Sequence, residues 1–200
     1  MSTIDHPAVA AEATRRATRR DLPALSETLA AAFHDDPVFR WWIAGDAARH
    51  EILPAFFGVI LDAHLVAGEI RTTHDLATAA VWAAPDAPED EALPGAIAEA
   101  AGKHAGRAFE ILERMAAQHP EEPHWYLPFV GTRPDRQSRG LGSAVMRPVL
   151  DACDVAGLPA YLEATSERVA RLYARHGFMI AGEIELPDGP SLWPMWREPR

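Results

Sequence analysis

The sequence is poor in cysteine, in lysine and in long apolar runs. Cys153 is the only cysteine among 200 residues, which excludes an intramolecular disulfide and an all-cysteine zinc site and favours a reducing compartment. No run approaches about eighteen consecutive apolar residues, so we expect no membrane-spanning segment. The first residues also lack the basic and apolar stretches of a secretory signal. We therefore expect a cytoplasmic protein.

Basic side chains are outnumbered, which argues against a nucleic-acid partner. The chain has 19 Lys and Arg against 29 Asp and Glu, a formal net charge of −10, whereas general binding to phosphate backbones requires a basic surface. The chain does have the composition of a globular core, since 48% of its residues are hydrophobic and 24% charged. Its length fits one domain, which we place at residues 13–200 after a small, polar and flexible leader at 1–12.

The charge is unevenly distributed, and residues 133–147 form a basic island. Four arginines and one aspartate give this segment a charge of +3, so the rest of the chain carries −13. A short basic segment in an acidic protein points to a specific small anion rather than to a polymer. The arginines are Arg133, Arg136, Arg139 and Arg147, and the aspartate is Asp135.

The hydrophobic pattern predicts a mixed sheet with helices on both faces. Apolar residues recur at helical spacing after Asp21-Leu22-Pro23, which is a typical helix start. In the last third of the chain, strand and helix patterns alternate before a closing hairpin through residues 187–190. The predicted helices are 22–34, 47–66, a broken helical region at 89–118, 141–156 and 166–176. The predicted strands are 15–19, 69–73, 77–84, 124–132, 160–164, 178–186 and 191–197.

Residues 130–143 carry the clearest chemical signal. A strand is predicted to end in a turn, after which a glycine-flanked loop begins a helix whose free N–H groups and positive dipole end can bind an anion. Gly140 and Gly142 let the backbone approach a phosphate, and Arg136 and Arg139 can add charge-assisted hydrogen bonds. The segment matches neither a Walker loop nor the dinucleotide-binding fingerprint. We therefore predict a pyrophosphate site of another kind.

Two motifs resemble those of the GNAT N-acetyltransferase family. The spacing Gln137-x-x-Gly140-x-Gly142 is similar to the family's acetyl-CoA-binding motif, and Tyr173-x-x-x-Gly177-Phe178 is similar to the end of its next helix. The resemblance extends over residues 13–198, and residues 29–33, 140–145 and 187–190 are similar to the puromycin N-acetyltransferase-like branch. It implies an α/β (α+β) fold with a mixed, mostly antiparallel central sheet, helices on both faces, and a splayed strand pair that binds acetyl-CoA.

The resemblance also implies which residues bind acetyl-CoA and donate a proton. The backbone of Val130, Gly131 and Thr132 is expected to bind the pantetheine arm, and Ser166 stands where many relatives have asparagine. Tyr173 matches the general acid that protonates the departing CoA thiolate, and a phenol with a pKa of about 10 stays protonated until that step. The pyrophosphate is expected on Arg136, Gln137, Ser138, Arg139, Gly140, Leu141, Gly142 and Ser143.

The residue that accepts the amine proton is indicated less directly. Glu163 lies in a predicted apolar strand, an unusual place for a carboxylate, so we rank it first as general base. A pairing of Glu163 with an arginine such as Arg168 is the structural alternative. His34 and Asp36 follow the first helix, where the amine substrate can enter, and are the other candidates.

Tryptophan is frequent for this length, with six residues, and three of them are candidates for an acceptor pocket. Trp41 and Trp42 follow the first helix, and Trp82 lies in a predicted strand. Aromatic residues otherwise fill cores, so a core position is the alternative for each. We predict no metal site, because His119 and His124 lie on opposite sides of a turn.

The predicted function is transfer of an acetyl group from acetyl-CoA to a primary amine of a small molecule, by direct attack in a ternary complex. The resemblance ranks an aminonucleoside antibiotic such as puromycin first among acceptors, which predicts a role in antibiotic resistance. A metabolite amine, a protein N-terminus, and a catalytically idle acyl-CoA-binding sensor are the alternatives. We expect a monomer or homodimer without a nucleic-acid or membrane partner.

Overall fold

The computed structural model describes residues 13–88 and 90–200, so the leader predicted at 1–12 lies outside the described residues. The helices are α1 (Leu22–Phe33), α2 (Pro37–Trp42), α3 (Asp46–Ala67), α4 (Leu93–Ala101), α5 (Ala105–Ala116), α6 (Leu141–Ala156) and α7 (Glu167–Ala174). The strands are β1 (Thr14–Arg16), β2 (Gly68–Thr73), β3 (Thr78–Ala83), β4 (Trp125–Thr132), β5 (Ala160–Ala164), β6 (Met179–Ile180), β7 (Ile184–Glu185) and β8 (Ser191–Arg197).

The strands form one mixed sheet in the order β1-β2-β3-β4-β5-β8-β6, and β7 also pairs with β8. Every pair is antiparallel except β4 with β5, which are parallel. The predicted fold class, a mixed and mostly antiparallel sheet with helices on both faces, is confirmed.

The parallel pair opens after two residue pairs. Trp125 lies opposite Ala160 and Tyr126 opposite Tyr161, and no further pairing joins β4 to β5. At the point of divergence the register between β3 and β4 shifts, and Pro128 within β4 has no N–H to donate to a neighbouring strand. The carboxyl-terminal half of β4 therefore presents one edge to the space between the strands.

The two faces of the sheet bury separate cores, as the alternation of β3 shows. Ala79 and Val81 pack into a cluster with α1 and α3, whereas Ala80 and Trp82 pack into a cluster with α6 and β5. Successive side chains of a strand point to opposite faces, so the first cluster covers one face and the second covers the other. The site described below lies where β4 separates these two layers.

The sequence predicted the carboxyl-terminal elements closely. The bounds of α6 and β5 match the predicted ranges, and Gly157 ends α6 in the left-handed conformation with a φ of 67°. The six-residue helix α2 was not predicted, and the region 89–118 divides into α4 and α5 at Gly102, whose φ is 53°. The predicted strand 178–186 is two short strands, because the register with β8 changes by one residue between them.

Among the described residues, one helix is long and apolar enough by length and composition to cross a membrane, which the sequence analysis did not expect. This helix is α3, Asp46–Ala67. Its buried face includes Leu53, Phe57 and Leu61, which belong to the core cluster shared with α1. One face of α3 therefore packs into the core, and 28% of its apolar window is buried.

Candidate active site

A cavity of about 1010 Å³ occupies the space between the diverging strands. One wall consists of β4, the loop 133–140 and the start of α6, and the opposite wall consists of residues from helices α1 to α5. Residues of α7 and the end of β5 close a third side. Because the sheet itself opens here, one cavity is reached by groups from both layers of the fold.

The start of α6 has the geometry of an anion cradle. Gly140 adopts the left-handed conformation with a φ of 80°, and Ser138, two residues earlier, has a φ of 62°. The first N–H groups of a helix have no acceptor within the helix, so the amides at Leu141, Gly142 and Ser143 can bind an anion at the positive end of the helix dipole. A Cβ at Gly140 would meet no atom within 4 Å, so glycine is favoured there by the positive φ and by the open approach.

The arginines of the basic island are less available than the sequence suggests. Arg133 donates to both carboxylate oxygens of Asp135 at 2.9 and 2.8 Å. Arg136 lines the cavity, but its Nη1 lies 2.5 Å from a carboxylate oxygen of Asp75 on the β2–β3 turn. Among the described residues Arg139 has no carboxylate partner, and it lies outside the cavity lining on the exposed loop. Counting Asp75 lowers the charge of the island from +3 to +2.

The predicted pantetheine strand has one bonded edge and one open edge. Val130, Gly131 and Thr132 pair with β3 and line the cavity, and no strand pairs with their other edge. Gly131 has an additional reason to be glycine, because a Cβ there would lie 2.9 Å from atoms of Ala32 and Leu29 on α1. Its missing side chain lets α1 pack directly on β4.

Three further predicted cofactor residues line the cavity and also make hydrogen bonds within the protein. Gln137 donates from its side chain to the Thr132 carbonyl at 3.1 Å, which fixes the loop against β4. The Ser143 hydroxyl lies 2.8 Å from Nε2 of His176. Ser166 caps α7 by accepting a hydrogen bond from the Val169 amide at 3.3 Å. All three predicted residues line the cavity, and Leu141 does so while its side chain is buried.

Tyr173 lies on the buried side of α7, and it lines the cavity with 7% of its surface exposed. Burial, together with the negative charge of Asp36, raises the pKa of the Tyr173 hydroxyl above its usual range. A neutral phenol is therefore maintained at physiological pH, which is the protonation state that a general acid requires.

Glu163 lies on β5 at the opening of the strand pair, and its side chain is only 2% exposed. Tyr126 on β4 donates a hydrogen bond to Glu163 Oε2 at 2.9 Å. Burial raises the pKa of the Glu163 carboxyl to about 7, although the Tyr126 and Tyr161 hydroxyls act in the opposite direction. A carboxyl that titrates near neutral pH is suited to accept a proton from an ammonium group. The alternative pairing with Arg168 is not found among the contacts of the described residues, where Tyr126 and His119 lie next to the Glu163 carboxylate.

The acceptor side of the cavity is aromatic, but its residues differ from those predicted. Trp42 lines it and is 3% exposed, whereas Trp41 packs under Arg107 and donates to the Pro187 carbonyl outside the lining. Trp82 is fully buried in the core beside α6, because its position in β3 points away from the cavity. The aromatic residues that line the cavity with Trp42 are Phe33, Phe39, Phe56 and Phe129.

The two predicted polar residues after α1 have different positions. Asp36 lines the cavity, where one carboxylate oxygen caps α2 by accepting from the Val38 amide at 2.9 Å and the other accepts from Thr165 at 2.5 Å. Both oxygens are therefore engaged, and Asp36 connects α2 to the residue that follows β5. His34 does not line the cavity and bonds instead to Asp46 at 2.8 Å.

His34 also belongs to a group that the sequence analysis missed. Ligand atoms of His34, Asp46 and His50 lie within 4.8 Å of one another, close enough to hold a metal ion. Arg49 already donates to the same Asp46 oxygen that faces His34, at 3.2 Å. Asp46 and His50 are four residues apart on α3, but His34 follows α1, so no single spacing in the sequence indicated all three.

The fold and the cavity identify the class of protein, and comparison with known proteins agrees. The model of the acetyltransferase (GNAT) family matches residues 65–178. The chain therefore belongs to the GNAT acetyltransferase family and is an acetyl-transferring enzyme. Members of this family generally use acetyl-CoA, for which the α6 cradle and the open edge of β4 offer fitting donors.

Individual relatives extend this likeness over nearly the whole chain. A structure from Corynebacterium glutamicum, described as histone acetyltransferase HPA2 and related acetyltransferase, is 31% identical and covers 94% of this chain and 96% of that one at a TM-score of 0.70. An uncharacterised N-acetyltransferase of Schizosaccharomyces pombe is 26% identical over 94% of this chain and 83% of its own length. Arylalkylamine N-acetyltransferase 2 from Aedes aegypti is 12% identical at a TM-score of 0.65, covering 94% of this chain and 99% of that one, which shows the fold alone.

Proposed function

We propose that this enzyme transfers the acetyl group of acetyl-CoA to the primary amine of a small molecule that has an apolar or aromatic body. The observation that carries the proposal is the meeting of three features in one cavity: the anion cradle at α6, the acid and base candidates Tyr173 and Glu163, and the aromatic wall around Phe33. The first suits the pyrophosphate of CoA, the second suits amide formation, and the third suits the body of the acceptor.

In this proposal acetyl-CoA lies along β4, with its pantetheine amides on the open edge at Val130 to Thr132 and its pyrophosphate on the amides of residues 137–142. The fit rests on the unpaired edge of β4 and on the left-handed turn at Gly140. Arg139 adds charge from the exposed loop. A backbone site of this kind depends little on side-chain identity, which agrees with the engagement of Arg133 by Asp135.

Glu163 removes a proton from the incoming ammonium group, directly or through water, and the neutral amine then attacks the thioester carbonyl. The C–N bond forms as the C–S bond breaks, and Tyr173 donates its proton to the departing thiolate. The neutral state of Tyr173 and the titration of the Glu163 carboxyl at about 7 support these roles. The second proton of the amine nitrogen restores the Tyr173 phenol.

Among amines with an aromatic body, puromycin is the acceptor that we test first, because short segments of the sequence resemble the puromycin N-acetyltransferase-like branch. An antibiotic-resistance role and a cytoplasmic location follow as part of the same proposal. The aromatic residues Phe33, Phe39 and Phe56 support an apolar acceptor, since aromatic pockets bind apolar bodies by burying their surface.

The test is release of free CoA thiol from acetyl-CoA across a panel of primary amines. The panel contains puromycin, other amines with aromatic bodies, hydrophilic diamines, and a peptide with a free N-terminus. We expect the highest kcat/KM for an aromatic amine and the lowest for the hydrophilic diamines. Equal rates across the panel, or a preference for the peptide, would overturn the proposed acceptor class.

A further inference from the structure

A second cavity, of about 590 Å³, lies beside the first and shares part of its wall. Tyr126 lines both cavities, Glu163 lines the first, and His119 lines the second. His119 Nδ1 lies 4.0 Å from Glu163 Oε1. The Glu163–His119 pair therefore spans the partition between a buried reaction cavity and a second cavity on the other side of Tyr126.

Glu163 has one carboxylate oxygen available toward His119. Oε2 accepts the hydrogen bond from Tyr126, whereas Oε1 is buried without a hydrogen-bond partner among the described residues. The Tyr161 hydroxyl, which lowers the pKa of Glu163, is also buried and unpartnered, so it faces the same carboxylate as His119. A separation of 4.0 Å is about 1 Å longer than a hydrogen bond. A small movement of the half-buried His119 ring closes this gap, so a proton can pass between the two side chains.

Aromatic rings pack against one side of the His119 ring, and its other side is exposed. Its ring centroid lies 4.9 Å from those of Tyr126 and Tyr161 and 5.0 Å from that of His124. Its side chain is 35% exposed, against 2% for Glu163. Burial, and to a smaller degree His124, lower the pKa of His119, so the ring is neutral near pH 7 and able to accept a proton.

Resting on the proposed function, we infer that His119 carries the proton of Glu163 from the reaction cavity to the second cavity. An ammonium acceptor loses two protons as its amide forms, and the CoA thiolate takes up one by way of Tyr173. One proton must therefore leave in each turnover, while both substrates fill the cavity around a 2% exposed carboxylate. Transfer from Glu163 to His119, and from His119 to water, completes this balance. His119 acts through Glu163 and does not contact the amine.

Other titratable groups face this pair and contribute to any pH profile. Tyr126 and Tyr161 face Glu163, and burial keeps the pKa of both phenols above the usual range. The remaining titratable residues that line the second cavity, apart from His119 and Tyr126, are His64, Asp90, Glu121, Glu122 and His124. Asp90, Glu121 and Glu122 are exposed acidic residues at the same cavity as His119.

The experiment compares His119→Gln with the matched variant His124→Gln in steady-state acetyl transfer from pH 5.5 to 9. For His119→Gln we expect kcat to fall about 10- to 100-fold, within the usual range for one proton-transfer group. We expect both KM values to change less than twofold, and the pH dependence of kcat to change shape. Added imidazole, which fits the second cavity, should restore part of the rate. His124→Gln removes a neighbouring ring of the same cluster and should show no imidazole rescue.

Two results would overturn the inference. One is a His119→Gln variant with unchanged kcat and pH profile. The other is a loss of kcat that imidazole does not restore and that His124→Gln reproduces with an equal loss of melting temperature, which would make the ring purely structural.

A measurement on the ligand-free protein separates this inference from the proposed function. The infrared band of the protonated Glu163 carboxyl, identified by its loss in Glu163→Gln, should change its titration midpoint in His119→Gln and not in His124→Gln. If the midpoint changes but no amine is acetylated, the proposed acceptor class fails and the coupling stands. If acetylation proceeds and the midpoint is unchanged, the coupling fails and the proposed function stands.

Discussion

The two long walls of the active-site cavity are made in different ways. The β4–α6 wall offers backbone groups, namely the open edge at Val130 to Thr132 and the amides at the start of α6. The opposite wall offers side chains, chiefly Phe33, Phe39 and Trp42. A backbone wall binds a constant ligand and tolerates many side chains, whereas a side-chain wall changes with each substitution. The first therefore suits the shared acetyl donor, and the second suits an acceptor that differs between relatives.

The largest effect on activity is expected for Tyr173, which lies on the third side of the cavity and belongs to neither wall. Tyr173→Phe keeps the buried ring and removes only the hydroxyl, so we expect kcat to fall about 100- to 1,000-fold with both KM values little changed. The measurement is thiol release under saturating substrates, with a melting curve to check folding. A variant with full kcat would show that Tyr173 is not the acid.

Glu163→Gln should produce the second-largest effect, which we expect on the free energy of unfolding rather than on substrate binding. The carboxyl titrates at about 7 in the folded protein against an ordinary value of 4.5, so the folded state holds its proton more tightly than the unfolded state. Its contribution to stability is therefore present below pH 4.5 and is lost as the pH rises to 7. The difference between these two pKa values corresponds to about 3 kcal/mol of stability.

We accordingly expect Glu163→Gln to raise the free energy of unfolding by about 1 to 3 kcal/mol above pH 7 and by much less near pH 4.5. Urea denaturation at the two pH values measures the difference. A gain that is equal at both would assign the effect to packing instead of to the charge. A loss of kcat in the same variant would show that the Glu163 carboxylate lowers stability but is needed for activity.

The backbone wall is disrupted by a change at Gly140. Gly140→Val places a β-branched residue at a φ of 80°, a conformation that favours glycine, and so distorts the cradle. We expect the KM for acetyl-CoA to rise at least about tenfold while the KM for the amine stays within twofold. Kinetics with each substrate varied in turn measure both KM values. An equal rise in both would contradict the assignment of acetyl-CoA to the β4–α6 wall alone.

Phe33→Leu should produce the mirror result on the side-chain wall. Phe33 contacts Phe39, Phe57 and Phe129, so a smaller side chain enlarges the cavity and loses ring contacts with an aromatic acceptor. We expect the KM for such an amine to rise about 5- to 10-fold, corresponding to roughly 1 kcal/mol, with the KM for acetyl-CoA unchanged. Phe109→Leu makes the same substitution at a 39% exposed position on α5 and should have no effect.

The smallest effect is expected at the arginines. Arg139→Ala should raise the KM for acetyl-CoA about 2- to 3-fold at low salt and less at high salt, because exposed charges are screened. Arg133→Ala is the matched control, since Arg133 is already bonded to Asp135. Equal effects of both variants would indicate that the net charge of the basic island attracts acetyl-CoA, whichever arginine supplies it.

The contrast between the walls also explains what the sequence could predict. The bounds of α6 and β5 were predictable because glycines begin and end the helix, and the cradle was predictable because its function depends on consecutive residues. The aromatic wall was not, since Phe33, Phe39 and Phe56 lie on three separate helices that meet only in the folded chain. Trp82 was misassigned to this wall because the direction of a side chain in β3 depends on strand register.

Gly131 couples the two walls. It lies on the strand that is proposed to bind the acetyl donor, yet its nearest neighbours are Leu29, Ala32 and Phe33 on the helix that bounds the acceptor. A single hydrogen atom in place of a methyl group therefore sets the distance between β4 and α1. Substitutions on α1 that keep these three contacts leave the spacing intact, whereas any larger residue at Gly131 would push the helix away from the strand. For engineering a new acceptor range, Gly131 is the position to hold fixed.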